Sequence, residues 1–163
     1  MKRRLILMRH AKSAWDTDAP SDHARPLNKR GRRDAPRIGE RLVEIGWEPE
    51  LVLSSDSTRT KETWERMSSS FERPEIHFLP SLYGAGVATV RAELARVPAE
   101  VGTVLLLGHN PGWEEVLAHL TGSAQRMTTA NAALLSVGAA SWSIAADAEA
   151  GWRLDQLLRP KEL

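Results

Sequence analysis

The sequence predicts a three-layer α/β/α sandwich, with helices on both faces of a mostly parallel central sheet. Three observations predict it. The runs Leu5-Ile6-Leu7-Met8, Leu51-Val52-Leu53 and Thr103-Val104-Leu105-Leu106-Leu107 are short and apolar, as strands buried on both faces must be. Segments with apolar residues at helical spacing follow them. Strand–helix alternation then selects parallel strands joined by crossovers, with helices above and below the sheet.

The elements follow in order. After the first strand, residues 11–27 carry Asp, Ser and two prolines without periodicity, which describes a long functional loop. From Asn28 to about Gly46, Ala35, Ile38, Leu42 and Ile45 recur at helical spacing. Pro36 either kinks the first turns of that helix or sits in the first turn of one that starts near Asp34. The second strand runs into Ser54-Ser55-Asp56-Ser57, a cluster of helix-capping residues, and Trp64, Met67 and Phe71 stripe the helix beyond it. Ile76 to Leu79 is a third strand crowded by Pro74 and Pro80, and Val87 to Val97 a helix patterned by Val90, Leu94 and Val97. After Leu107, Asn110-Pro111-Gly112 opens a helix carrying Val116, Leu117 and Leu120. Ala132 to Val137 and Ser141 to Ala145 read as a strand pair around Gly138, with a further short strand over Arg153 to Leu157.

A chain of 163 residues has room for one domain, and no repeat, linker or low-complexity tract divides it, so residues 1–163 are read as a single domain. There is no cysteine, which excludes a disulfide framework, a thiolate nucleophile and a sulfur-based zinc site. Lys+Arg number 22 against 21 Asp+Glu, a net charge of +1 that does not suggest a nucleic-acid or membrane partner. The basic set Lys29, Arg30, Arg32, Arg33, Arg37 and Arg41 is interleaved with Asp34 and Glu40, as on a solvated helix face. The start Met1-Lys2-Arg3-Arg4-Leu5 mimics a signal peptide, but the apolar run ends at Arg9, and the expected location is the cytoplasm.

In open parallel sheets ligands bind at the carboxyl ends of the strands. The residues placed there are Arg9-His10, Ser54 through Arg59, and Gly108-His109-Asn110. Two histidines, two arginines and a helix start on one edge describe a phosphoryl pocket, where catalysis is largely positioning plus cationic stabilisation. With no cysteine, no Gly-x-Ser-x-Gly elbow and no Walker loop, a histidine imidazole is the available nucleophile, and His10 at a strand end suits it.

The segment Leu7-Met8-Arg9-His10-Ala11-Lys12-Ser13 resembles the Arg-His signature of the histidine phosphatase superfamily, which also includes the phosphoglycerate mutases. The resemblance continues in order through Arg25-Pro26-Leu27-Asn28-x-x-Gly31, Ser54-Ser55-Asp56-Ser57-x-Arg59-Thr60-x-Glu62-Thr63 and Gly108-His109-Asn110-Pro111-Gly112, nearly the whole chain. The His-Ala-Lys-Ser variant, Leu82-Tyr83 and Thr128-Thr129-Ala130 look most like the phosphohistidine phosphatase branch. The resemblance implies a phosphoglycerate mutase-like fold. It also implies transient phosphorylation of His10, phosphoryl oxygens bound by Arg9, Arg59 and His109, and release of inorganic phosphate to water without metal or cofactor. Arg25, Asn110, Lys12 and Ser13 are the candidate substrate-binding residues. Arg25 competes with a surface ion-pair reading, and Asn110 with a plain helix cap.

One departure concerns the general acid. Many members place a glutamate before the Leu-Tyr segment, where Leu79-Pro80-Ser81-Leu82-Tyr83 offers only Ser81. Asp16 and Asp22 are the nearby carboxylates that could substitute. A missing acid favours phosphohistidine on a protein, whose imidazole leaving group carries its own proton, over a sugar phosphate. The alternatives are a small-molecule phosphomonoesterase and a phospho-ligand binding module without turnover. His23, His77 and His119 read as structural or exposed, Trp64 as core, and Trp15 and Trp113 as walls of the pocket.

Overall fold

In a computed structural model, residues 1–147 and 151–163 are described. They build six strands, β1 (Lys2–Arg9), β2 (Leu51–Ser55), β3 (Glu75–Leu79), β4 (Thr103–Gly108), β5 (Ala132–Gly138) and β6 (Arg153–Leu158). Five helices accompany them, α1 (Lys29–Glu44), α2 (Thr58–Met67), α3 (Val87–Ala95), α4 (Gly112–Thr121) and α5 (Trp142–Ala146). The sheet order is β3-β2-β4-β1-β5-β6. β1, β2, β3 and β4 pair in parallel, and β5 runs antiparallel to both β1 and β6.

The period-2 alternation of the central strands divides the core into two layers. Leu5, Leu7, Leu53, Val104 and Leu106 pack against α3, α4 and α5. Ile6, Met8, Val52, Leu105 and Leu107 pack against α1 and α2. Helices therefore cover both faces, as the apolar strands require. The order also places β1, β2 and β4 side by side, so the residues after them meet at one edge.

One expectation is corrected, and one of the two alternatives for Pro36 is removed. Ser141 to Ala145 is no strand: the Ser141 side chain caps α5 by accepting from the Ile144 N–H at 3.1 Å. The buried residues are Trp142, Ala145 and Ala146, a helical spacing, while Ile144 is exposed. Pro36 neither delays α1 to Asp34 nor occupies its first turn. Asn28 caps the helix by accepting from the Gly31 N–H, and Pro36 lies inside the continuous helix. There its missing N–H forgoes one ladder bond, while the flanking Ala35 and Ile38 are fully buried.

Arg3 in β1 is almost wholly buried. It donates to the carbonyls of Ala99 (2.6 Å), Val101 (2.9 Å), Ala140 (2.8 Å) and Ala139 (3.3 Å), tying two loops to the first strand. Among the described residues, no helix is long and apolar enough to cross a membrane.

Candidate active site

His10 stands one residue beyond β1. Its N–H donates to the Gly108 carbonyl (3.0 Å) and its carbonyl accepts from Ala130 N–H (2.9 Å), so its backbone is held between β4 and the 128–131 turn. Ala130 holds φ +60° there, a left-handed conformation costly for a residue with a Cβ. The imidazole Nδ1 lies 2.7 Å from the Ala11 carbonyl. A carbonyl can only accept, so Nδ1 carries the proton and Nε2 keeps its lone pair. Burial lowers the His10 pKa to about 3, helped by the neighbouring His109, Arg59 and Arg9. The ring is neutral at physiological pH, with a fixed tautomer.

Arg59, in the first turn of α2, donates from Nε toward His10 Nε2 at 3.4 Å. The His109 ring centroid lies 5.2 Å from that of His10. His109 Nε2 is 2.8 Å from Ser55 Oγ, at the end of β2, and burial lowers its pKa to about 4, with Arg59 adding to the effect. Arg9 donates from Nη1 to the Met127 carbonyl (3.1 Å). Arg9 Nε and His109 Nδ1 are buried without a hydrogen-bond partner among the described residues.

Residues 11–28 form a loop fastened at its base. Ala14 N–H donates to the Pro26 carbonyl (2.8 Å) and Asn28 N–H to the Lys12 carbonyl (3.0 Å). Gly31 lets α1 approach that loop, because a Cβ there would lie 2.1 Å from the Lys12 oxygen. Arg25 is buried, donating from Nη1 to Ser13 Oγ (2.8 Å) and the Ala14 carbonyl (3.0 Å) and from Nε to Asp22 Oδ1 (3.1 Å). It is no ordinary surface ion pair. Asn110 fastens the loop after β4: its amide donates to Glu114 (2.9 Å) and to the Met127 carbonyl (2.8 Å), and its oxygen accepts from Glu114 N–H (3.3 Å).

One cavity of about 200 Å³ is lined by Arg9, His10, Arg59 and His109, and equally by Arg25, Asn110, Lys12 and Ser13, together with Trp15 and Thr129. The structure thus brings all eight candidate residues to one place. A larger groove of about 590 Å³ between α1 and β6 mixes Arg37, Arg41 and Arg159 with Glu40, Glu44 and Glu162 and holds no histidine. Among the described residues no group of His, Asp or Glu is gathered in a way that could hold a metal ion.

Four side chains take places the sequence did not reveal. Trp113 is core, not wall: it is fully buried beneath β4, where a Cβ on Gly108 would come within 2.4 Å of its ring. Tyr83 stands edge-on to both His109 (5.4 Å) and His23 (4.9 Å) and donates its hydroxyl to Asp22. His23, paired with Asp56 at 2.8 Å, belongs to this rim. The Asp22 carboxylate accepts from Tyr83, Arg25 and Arg59, and these contacts hold its pKa well below the usual carboxylate range. It is therefore ionised and unsuited to donate a proton. Ser81 turns away to Glu93 on α3 (3.3 Å), and Asp16 is exposed in the loop.

The motif residues that do not line the cavity hold it in place. Thr63 accepts from Ala11 N–H (3.0 Å) and donates to the Arg59 carbonyl (2.7 Å), and Glu62 accepts from Leu27 N–H (2.8 Å).

A family model described as the histidine phosphatase superfamily (branch 1) matches residues 5–83. An uncharacterised chloroplastic protein of Arabidopsis thaliana is 38% identical over 174 residues, covering 98% of this chain and 79% of that protein. The chain belongs to the histidine phosphatase superfamily. By that membership it is a phosphatase of the histidine-nucleophile class. A structure assigned as the phosphohistidine phosphatase SixA of Nakamurella multipartitia superposes with a TM-score of 0.85 at 30% identity, over 98% of this chain and 97% of that one. The protein histidine phosphatase SixA complexed with tungstate gives 0.82 at 26% identity over 99% of both. Within the superfamily the chain falls in the phosphohistidine phosphatase branch. Its fold is phosphoglycerate mutase-like, as the resemblance implies, and is an instance of the α/β/α sandwich its strand pattern predicts.

Proposed function

We propose that the protein hydrolyses phosphohistidine on a protein substrate through a covalent phosphoryl intermediate on His10, without a metal ion. The observation that carries this reading is the His10 ring itself: Nδ1–H committed to the Ala11 carbonyl and an unprotonated Nε2 in a cavity lined by Arg9, Arg59 and His109. The buried, unpartnered Arg9 Nε and His109 Nδ1 suit an anionic guest.

In the first step the Nε2 lone pair bonds to phosphorus as the P–N bond of the substrate breaks. The bonding electrons stay with the departing nitrogen. A substrate imidazole protonated on its far nitrogen then leaves as neutral imidazole. Arg9, Arg59 and His109 stabilise the charge on the equatorial oxygens. Water next attacks the phosphorylated His10, releasing inorganic phosphate and restoring the neutral ring. With Asp22 ionised, Ser81 turned to Glu93 and Asp16 exposed outside the cavity lining, none of these three candidates offers a carboxylic acid to an alkoxide leaving group, which favours phosphohistidine over sugar phosphates. The short 79–90 segment is compatible with a cleft open to a protein surface, and the cytoplasm remains the proposed location.

Side-by-side turnover of a phosphohistidine peptide, a phosphoserine peptide and glycerol 2-phosphate tests this. The phosphohistidine peptide is expected to exceed both esters in kcat/KM by at least about a hundredfold, the scale on which general acids contribute. Equal or faster turnover of an ester would assign the site to a small-molecule phosphomonoesterase. Tight phosphate binding with turnover of none would make it a binding module.

A further inference from the structure

Five of the six tryptophans are buried, whereas Trp15 is 74% exposed. It is nevertheless held in place. The Arg25 guanidinium lies over its ring, 3.6 Å from the centroid. That guanidinium is itself fixed from two sides, by Asp22 on Nε and by Ser13 and Ala14 on Nη1. The flanking Ala14 N–H is bonded to Pro26, so the backbone beside the indole is fastened as well. Trp15 also lines the His10 cavity, on the same wall as Lys12, Ser13 and Arg25. The cavity of about 200 Å³ has room for a phosphoryl group between Arg9, Arg59 and His109 and for part of what it is attached to. A group attached to a phosphoryl held there shares the cavity with the exposed indole of Trp15.

We infer that Trp15, stacked on Arg25, is a leaving-group subsite that recognises a planar aromatic or heteroaromatic ring joined to the phosphoryl group. The inference rests on the phosphatase reading for its ligand and deepens it, since the imidazole of phosphohistidine is such a ring. A flat, pre-ordered indole gains from offset or edge-on contact with a second ring and offers little to an aliphatic alcohol. Arg25 keeps one face of the indole covered, so its ordering cost is already met in the free protein. Trp15 would thus supply selectivity that the phosphoryl clamp, which sees only oxygens, cannot.

Calorimetric titration of the wild type, Trp15→Ala and Trp15→Phe with phenylphosphonate and methylphosphonate tests this without needing turnover. The wild type is expected to bind phenylphosphonate about tenfold more tightly than methylphosphonate, the scale of one aromatic contact. Trp15→Ala should bring that ratio to about one while leaving the methylphosphonate Kd within about twofold, and Trp15→Phe should keep most of it. A ratio unchanged in Trp15→Ala overturns the subsite. Equal weakening of both ligands also overturns it, showing that Trp15 only positions Arg25. Failure of the phosphatase reading is seen separately, as wild-type protein that binds both phosphonates but hydrolyses no phosphohistidine.

Discussion

In the proposed mechanism His10 acts as a nucleophile at one nitrogen while its other nitrogen is occupied, and a strand end supplies both conditions. The Ala11 carbonyl takes Nδ1–H, and burial keeps the ring neutral. Nitrogen-detected NMR is therefore expected to show His10 as the Nδ1–H tautomer, without titration between pH 8 and about pH 5. A midpoint near 6.5 would contradict the burial argument. Arg59→Ala removes the cation that donates toward Nε2 and is expected to lower kcat by about 10²–10³-fold in steady-state assays, while Arg59→Lys restores little because the fork is lost. Of the cavity residues, those following the three apolar strands were legible from their place at the sheet edge. Trp113 was misread for a physical reason: nearness to a motif suggested a pocket wall. Its spacing with Val116, Leu117 and Leu120 marks the buried stripe of α4 instead. Tyr83 and Asp22 were not legible as partners, because 61 residues separate them and only the fold brings them together.

The elements that carry the site were the most legible ones, since a strand apolar at every position has few other solutions. β2 and β4 match their observed ends within two residues, whereas β1 begins three residues before the apolar run, at Lys2. The misread segment, Ser141 to Ala145, is short enough that Trp142 and Ile144 could mimic a strand's alternation. Only the Ser141 cap and the burial of Ala145 distinguish a helix. Joints between elements supply two stability predictions. Arg3→Met strips four buried or half-buried carbonyls of their donor and should cost about 2–4 kcal/mol in urea unfolding. Gly31→Ala drives a Cβ against the Lys12 carbonyl where α1 meets the active-site loop. It should cost about 1–3 kcal/mol and also reduce activity, because the loop that presents Ser13 and Arg25 must shift.

At the scale of the whole molecule, burying two neutral histidines beside three arginines links folding to pH. The folded pKa values of His10 and His109 lie at about 3 and about 4, below the ordinary histidine value. The unfolded chain therefore binds more protons at mildly acidic pH. The stability these groups contribute is fully present above about pH 6.5. It is lost as pH falls toward 4, with a slope of about 1.4 kcal/mol per pH unit for each group. Chemical denaturation at pH 7.5, 6, 5 and 4 should show this decline, and Arg59→Ala, which relieves repulsion of both rings, should flatten it. The claim on which the account depends is that the phosphoryl group passes through His10. Rapid-quench mass spectrometry after mixing with a phosphohistidine peptide tests it most directly. The account predicts a transient, acid-labile phosphoryl adduct on His10 that forms no later than free phosphate and is absent in His10→Ala, whose turnover falls by at least about 10⁴-fold. Substantial phosphate release by His10→Ala, or an adduct on any other residue, would contradict it.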